Sequence, residues 1–172
     1  MVGVDTWKNT WGTIDWEKDS EEKLKEEINR FFFPKIDFNM TNEESYTKRR
    51  PLHYASVFVK SEEIIAMMIR GGADINLTDT NGATPLHYAA YSGNTKIVEY
   101  LIKRGVNVSA MDFLGRTSYS LAKNSKTREI IKNADKIRAE YLKDHPEDYI
   151  ENRAAWKKSW GKIENDIQRT HD

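Results

Sequence analysis

The chain has 172 residues, 38% hydrophobic and 31% charged, which is enough to bury a core within one ordinary domain. No stretch approaches the roughly eighteen apolar residues of a membrane helix, and with no cysteine the chain has no disulfide, thiol catalysis or thiolate metal site. Net charge is zero but unevenly spread: residues 1–45 hold six basic and eleven acidic side chains, 46–133 thirteen and seven, and 134–172 eight and nine.

Residues 1–19 form a Trp-containing arm. Its Trp7-Lys8-Asn9-Thr10-Trp11-Gly12-Thr13-Ile14-Asp15 matches Trp156-Lys157-Lys158-Ser159-Trp160-Gly161-Lys162-Ile163-Glu164 near the other end. The spacing sets each pair of indoles on one helical face. Three readings stay open: each element caps an end of the fold, each docks a partner through Trp anchors, or the two pack on each other. The start lacks the basic n-region and apolar core of a signal peptide and the Arg-rich character of a transit peptide, so an intracellular location is expected.

Residues 20–44 are predicted to open with a helix over 20–33, capped by Asp19 or Ser20, with Glu21 and Glu22 in its first turn. Leu24, Ile28 and Phe31 or Phe32 form its buried stripe. The following Ile36-Asp37-Phe38-Asn39-Met40-Thr41-Asn42 resembles Ala73-Asp74-Ile75-Asn76-Leu77-Thr78-Asp79 downstream. The segment therefore reads as a capping half of the unit that follows it.

Residues 45–133 repeat. Arg50-Pro51-Leu52-His53-Tyr54-Ala55 and Thr84-Pro85-Leu86-His87-Tyr88-Ala89 stand 34 residues apart, and the degraded Thr117-Ser118-Tyr119-Ser120-Leu121-Ala122 follows after 33. Gly71-Gly72-Ala73-Asp74-Ile75-Asn76 matches Arg104-Gly105-Val106-Asn107-Val108 at 33, so the extra residue of the first spacing falls around Phe58–Glu62. Within a unit, Pro85 suits a first helical turn and Gly93-Asn94 breaks that helix. Ile97, Val98, Leu101 and Ile102 form the stripe of a second helix, and Gly105 ends it. Asp79-Thr80-Asn81-Gly82 is a turn signal. In the third unit the second helix is predicted to run unbroken through Ile130, Ile131, Ala134, Ile137 and Tyr141 to about His145-Pro146. Residues 134–172 make a C-terminal helical cap, with a last helix over 146–168 carrying Trp156 and Trp160.

Period, motif and apolar spacing together resemble the ankyrin-repeat family. The resemblance implies an all-α solenoid of helix-turn-helix units with projecting finger loops, here with N- and C-terminal helical extensions. It implies that His53 and His87 are structural, hydrogen-bonding backbone between repeats. It also implies binding through finger tips and the exposed face of each first helix. By position, the finger sites are Tyr46, Thr47 and Arg49, then Thr80, Asn81 and Ala83, then Phe113, Leu114 and Arg116. The helix sites are Val57 and Phe58, Tyr91 and Ser92, then Lys123 and Asn124. Phe113 and Leu114 are large apolar residues at an expected tip, which points to an interface unless the C-terminal helix folds over them.

No His/Asp/Glu spacing resembles a metal site, and no phosphate loop or nucleophile elbow appears. The expected function is a non-enzymatic protein-protein interaction module, an adaptor or accessory subunit of a larger assembly. The rival is an inhibitor or host-directed effector that blocks or recruits a target. One or more proteins are the expected partners; no cofactor, small-molecule ligand, membrane insertion or nucleic acid is expected. The basic middle is either neutralised by the acidic arm or offered as a positive face to an acidic partner.

Overall fold

The computed structural model describes residues 14–30, 37–42 and 46–148. Trp7, Trp11, Trp156 and Trp160, with Phe31 and Phe32 and, beyond residue 148, the helix expected over 146–168, lie outside the described residues. The helices are α1 (Glu21–Arg30), α2 (Pro51–Phe58), α3 (Glu62–Arg70), α4 (Pro85–Ser92), α5 (Thr95–Lys103), α6 (Ser118–Leu121), α7 (Ser125–Lys132) and α8 (Ala134–Asp144). Among the described residues there is no β-strand, only an isolated antiparallel bridge between Met111 and Thr117.

Each repeat is a helix pair, and the pairs stack. Among first helices, α4 lies between α2 and α6; among second helices, α5 lies between α3 and α7. The stack closes on α1 against α3 at one end and on α8 against α5 and α7 at the other. Leu52, Ile64, Ile65, Met68, Leu86, Ile97, Leu101 and Ile102 are fully buried in a single hydrophobic cluster that runs through the stack. Ile14, Trp16, Leu24, Ile28 and Phe38 extend that cluster at its N-terminal end. No one pair covers its own apolar side, so its neighbours do.

Local chemistry sets the elements. Pro51 and Pro85 open α2 and α4, where a missing N–H costs nothing. Gly93 ends α4 in the left-handed region at φ 75°, and its N–H reaches the carbonyls of Ala89 and Ala90. Two residues, Gly93 and Asn94, join α4 to α5, whereas Val59, Lys60 and Ser61 join α2 to α3. The extra residue of the first spacing thus sits in the inter-helix link. Ser20 caps α1, its Oγ accepting the Lys23 N–H at 3.3 Å.

One small motif recurs three times. Asp37, Asp74 and Asn107 each accept, through Oδ1, the N–H two residues on, at 2.8, 2.8 and 3.0 Å. Asn39 Oδ1 then accepts the Asp74 N–H at 2.7 Å, and Asn76 Oδ1 accepts the Asn107 N–H at 2.8 Å. Residues 37–42 therefore take the place, relative to the first full repeat, that 74–79 take relative to the second.

The third repeat departs from expectation. Its second helix is broken at Asn133, whose φ of −96° and ψ of 16° leave the helical region. The break redirects α8 across the end of α5. There the Arg138 guanidinium donates to the carbonyls of Lys103, at 2.9 Å, and Ile102, at 3.4 Å. The Ile102 carbonyl also accepts the Gly105 N–H at 2.9 Å, whereas Lys103 closes the helix, and a basic side chain at a helix C-terminus satisfies such a terminal carbonyl. Gly105, at φ 82°, lets the guanidinium lie against the backbone: a Cβ built there would stand 2.5 Å from Arg138 Nη1. Gly105→Ala is expected to lower stability by about 1–3 kcal/mol in a urea titration, through a strained φ and displacement of the cap. An unchanged midpoint would show that α8 does not need this close approach.

Candidate protein-binding surface

The second and third fingers are short loops, each folded around one aspartate. In the second, Asp79 Oδ1 accepts the N–H groups of Asn81 and Ala83, both at 2.9 Å. In the third, Asp112 Oδ1 accepts those of Leu114 and Arg116, both at 2.9 Å. Both carboxylates are buried. Burial opposes ionisation of Asp112, but the Arg116 backbone and guanidinium outweigh it and hold this carboxyl below its ordinary range. The first finger closes from the Asn42 N–H to the Arg49 carbonyl, three residues longer than the 79–83 and 112–116 closures. Backbone hydrogen bonds tie the fingers side by side, from Thr80 N–H to Thr47 O at 3.0 Å and from Phe113 N–H to Asn81 O at 2.9 Å.

The histidines do what the resemblance implies. His53 Nδ1 accepts the Arg50 N–H at 3.0 Å, which leaves the proton on Nε2, and Nε2 donates to the Ala83 carbonyl at 3.1 Å. His87 repeats this, accepting from Thr84 N–H at 3.2 Å and donating to the Arg116 carbonyl at 3.0 Å. Each ring locks its own helix start and holds the next finger. Burial pushes the His53 pKa down to about 4, which keeps the ring neutral in neutral solution. In the third repeat Ser120 stands at the histidine position and bonds only within its own turn, to Thr117.

The candidate binding residues divide into two groups. Tyr46, Tyr91, Phe113 and Leu114 are strongly exposed, at 96%, 68%, 79% and 76%, and Phe58, Thr80 and Asn81 are exposed as well. Phe113 and Leu114 are thus uncovered by the described residues, and the Phe113 ring lies along the backbone of Gly82 in the preceding finger. Arg49 and Arg116 instead serve the fold. The Arg49 guanidinium stacks over Tyr88, 4.8 Å from the ring centroid, and donates to the Tyr88 hydroxyl at 2.9 Å. That hydroxyl donates to Asp79 Oδ2 at 2.6 Å; desolvation first, then this bond, raises the Tyr88 pKa to about 12. Arg116 is tied to Asp112 Oδ2 at 2.7 Å. Ala83, a finger site by position, is buried because its carbonyl receives His53. Asn124 is taken up in capping α7 through the Thr127 N–H at 2.8 Å.

Sequence reading passed over Met111 and Tyr119, exposed at 64% and 46%. Tyr119 occupies the register of Leu86, which is fully buried. Its exposure follows from a short α6 with no fourth first helix among the described residues to cover it. The loss of both Pro and His from the third hexapeptide was the available sign. Among the described residues no cluster of His, Asp and Glu is arranged to hold a metal ion, and no helix is long and apolar enough to cross a membrane.

Comparison with known proteins agrees with this architecture. An ankyrin repeat and LEM domain-containing protein 1 homolog of Caenorhabditis elegans is 38% identical over 87 residues, which is 49% of this chain and 12% of that protein. An ankyrin repeat protein of fowlpox virus (strain NVSL) is 38% identical over 76 residues, 44% of this chain and 38% of its own length. This chain therefore spans well under half of either relative. The crystal structure of the ankyrin repeat domain of Bcl-3 superposes with a TM-score of 0.57 at 21% identity, over 64% of this chain and 47% of that one, a likeness of fold. The family model for ankyrin repeats, in three copies, matches residues 21–133, and the chain belongs to the ankyrin-repeat family.

Proposed function

We propose that this chain binds another protein through its fingers and first helices, as an adaptor or accessory subunit of a larger assembly. Ankyrin-repeat domains generally mediate protein-protein interaction and are typically not enzymes. The observation that carries the reading is the row of large apolar side chains left in solvent at Tyr46, Tyr91, Phe113 and Leu114. Large apolar side chains left exposed mark an interface more often than an ordinary surface. The backbone bonds between fingers hold the loops that carry Tyr46, Phe113 and Leu114 side by side, so a partner meets a preformed surface and less ordering opposes association. Of the residues assigned to partner contact, Tyr46, Phe58, Thr80, Asn81, Tyr91, Phe113 and Leu114 fit this role on exposure. Arg49 and Arg116 would act by shaping the fingers, and Trp7, Trp11, Trp156 and Trp160 are proposed as further anchors on the repeat they share in sequence. Binding of small molecules, nucleic acid or cofactors forms no part of this proposal.

The double variant Phe113→Ala/Leu114→Ala tests it. Thermal melting is expected to stay within a few degrees, because both side chains already face water. The partner recovered with the unaltered chain at fixed stoichiometry is expected to bind at least about ten-fold more weakly, as loss of an interface anchor implies. Undiminished binding by the folded variant would remove the surface from the proposal.

A further inference from the structure

Among the described residues Trp16 is the one tryptophan, and it takes no part in the surface proposed above. A turn sets it in place: the Asp15 N–H donates to Asp19 Oδ2 at 2.9 Å, and the Asp15 carbonyl accepts the Asp19 N–H at 2.8 Å. Trp16 is buried there and stacks on Tyr54 of α2, with ring centroids 6.5 Å apart and planes 14° from parallel. Tyr54 in turn meets both ends of the first finger. Its hydroxyl accepts from Asn42 Nδ2 at 3.3 Å, and its ring lies 5.9 Å from the Arg49 guanidinium, within cation–π range. Asn42 and Arg49 are the two residues whose backbone bond, at 3.0 Å, closes this finger. Between them Lys48 takes a φ of 46°, in the left-handed region that a side chain disfavours. Such a conformation persists only where its neighbours fix it. Here Arg49 is held on one side, and on the other the Thr47 carbonyl accepts the Thr80 N–H at 3.0 Å.

From this ladder of contacts we infer that Trp16 is a positioning residue: acting through Tyr54, it sets the first finger and so the presentation of Tyr46 to a partner, the last step resting on the surface proposed above. Asn42 stands at the position from which Asp79 and Asp112 gather the second and third fingers. The first closure spans three more residues than theirs, and a longer loop costs more entropy to close. The indole stacked on Tyr54 limits the freedom of that ring, and the ring's contacts with Asn42 and Arg49 then limit the freedom of the loop ends. A partner that meets Tyr46 already placed loses less entropy on binding. Trp16 does this from the arm that precedes the repeats, without contact of its own with a partner.

Amide hydrogen exchange of the full chain, read residue by residue by NMR, tests this in two variants. Trp16→Leu keeps apolar bulk and removes the aromatic face; Trp16→Phe keeps a ring. In Trp16→Leu the Asn42 and Thr80 amides, which bond the first finger at its base and to its neighbour, are expected to exchange at least about ten-fold faster. The Phe113 amide, which bonds the third finger to the second, should stay within about two-fold. Trp16→Phe should restore most of the protection, and Tyr54→Leu, which breaks the same link from α2, should reproduce the pattern of Trp16→Leu. The chain has no cysteine, so a nitroxide attached at Tyr46→Cys reports on that site alone; it is expected to move more freely with Trp16→Leu and not with Trp16→Phe. Leu24→Ala, a loss from the same end of the core, should lower stability without opening the first finger preferentially. Unchanged exchange at Asn42 and Thr80 in folded Trp16→Leu would overturn the assignment. Equal acceleration at Phe113, or the same local opening in Leu24→Ala, would also overturn it, since general loosening moves all three amides. Failure of the proposed surface gives a different result: the first finger opens as expected, yet the partner recovered with the unaltered chain binds Trp16→Leu undiminished. That would remove Tyr46 from the contact and leave the hold of Trp16 on the finger standing.

Discussion

Leu86→Ala is expected to lower stability by about 2–5 kcal/mol in a urea or guanidinium titration, among the largest single losses this fold allows. Leu86 is fully buried on α4, the first helix that has a first helix on either side of it. Removing its side chain forfeits the transfer free energy of the lost carbons and leaves a cavity that two neighbouring repeats must close. Tyr119→Ala at the same register of the third repeat is expected to cost under about 1 kcal/mol, since nearly half of that side chain already faces water. The pair separates position in the stack from position in the motif. Equal losses at the two sites would mean that α6 is covered in solution.

The second large effect depends on pH. The His53 pKa lies at about 4, lowered first by burial, whereas the unfolded imidazole titrates near 6.5. A depressed folded value means that the unfolded chain binds the proton first. The stabilisation is therefore complete above about pH 6.5 and is lost as pH falls through the folded value near 4. The difference corresponds to about 3 kcal/mol at order-of-magnitude precision. His53→Gln keeps an N–H for the Ala83 carbonyl but does not titrate. Plotted against pH, the stability of this variant should lack the slope of up to about 1.4 kcal/mol per pH unit that His53 contributes between those limits. Parallel curves for the two proteins would show that the buried ring does not carry the proton linkage. The same ring explains why this histidine belongs to the fold: its protonation removes the acceptor that the Arg50 N–H uses at the start of α2, while Nε2 still donates to the Ala83 carbonyl of the next finger.

Most of the repeat block was legible from residue order, because its causes are local and periodic. Proline at a helix start, glycine at a left-handed end and apolar residues three and four apart act within a few positions of themselves, and near-identity at two places made the unit plain. The inserted residue between α2 and α3 and the capping of α1 by Ser20 were readable for the same reason. The roles of His53 and His87 came through the family resemblance, and the geometry then supplied their bonds. The side proposed for binding was chosen by position, since in a stack of equivalent units the same register faces the same way.

What the tertiary structure decided depends on pairs distant in the chain. Arg49 and Arg116 look like free finger residues in sequence, yet each is claimed by a partner that only folding brings near, Tyr88 for one and the Asp112 carboxylate for the other. The apolar spacing from Ile130 to Tyr141 continues evenly through Asn133, so nothing local announced the break. It follows from the gain when Arg138 reaches the terminal Lys103 carbonyl of α5 across the bare backbone of Gly105. Tyr119 shares its register with buried Leu86 but is exposed, because burial is conferred by the neighbouring repeat and not by the motif. Periodic patterning thus determined which elements form and which way they face. Position along the stack determined which equivalent residues are covered and which remain open to solvent, because each repeat's apolar side is completed only by the next.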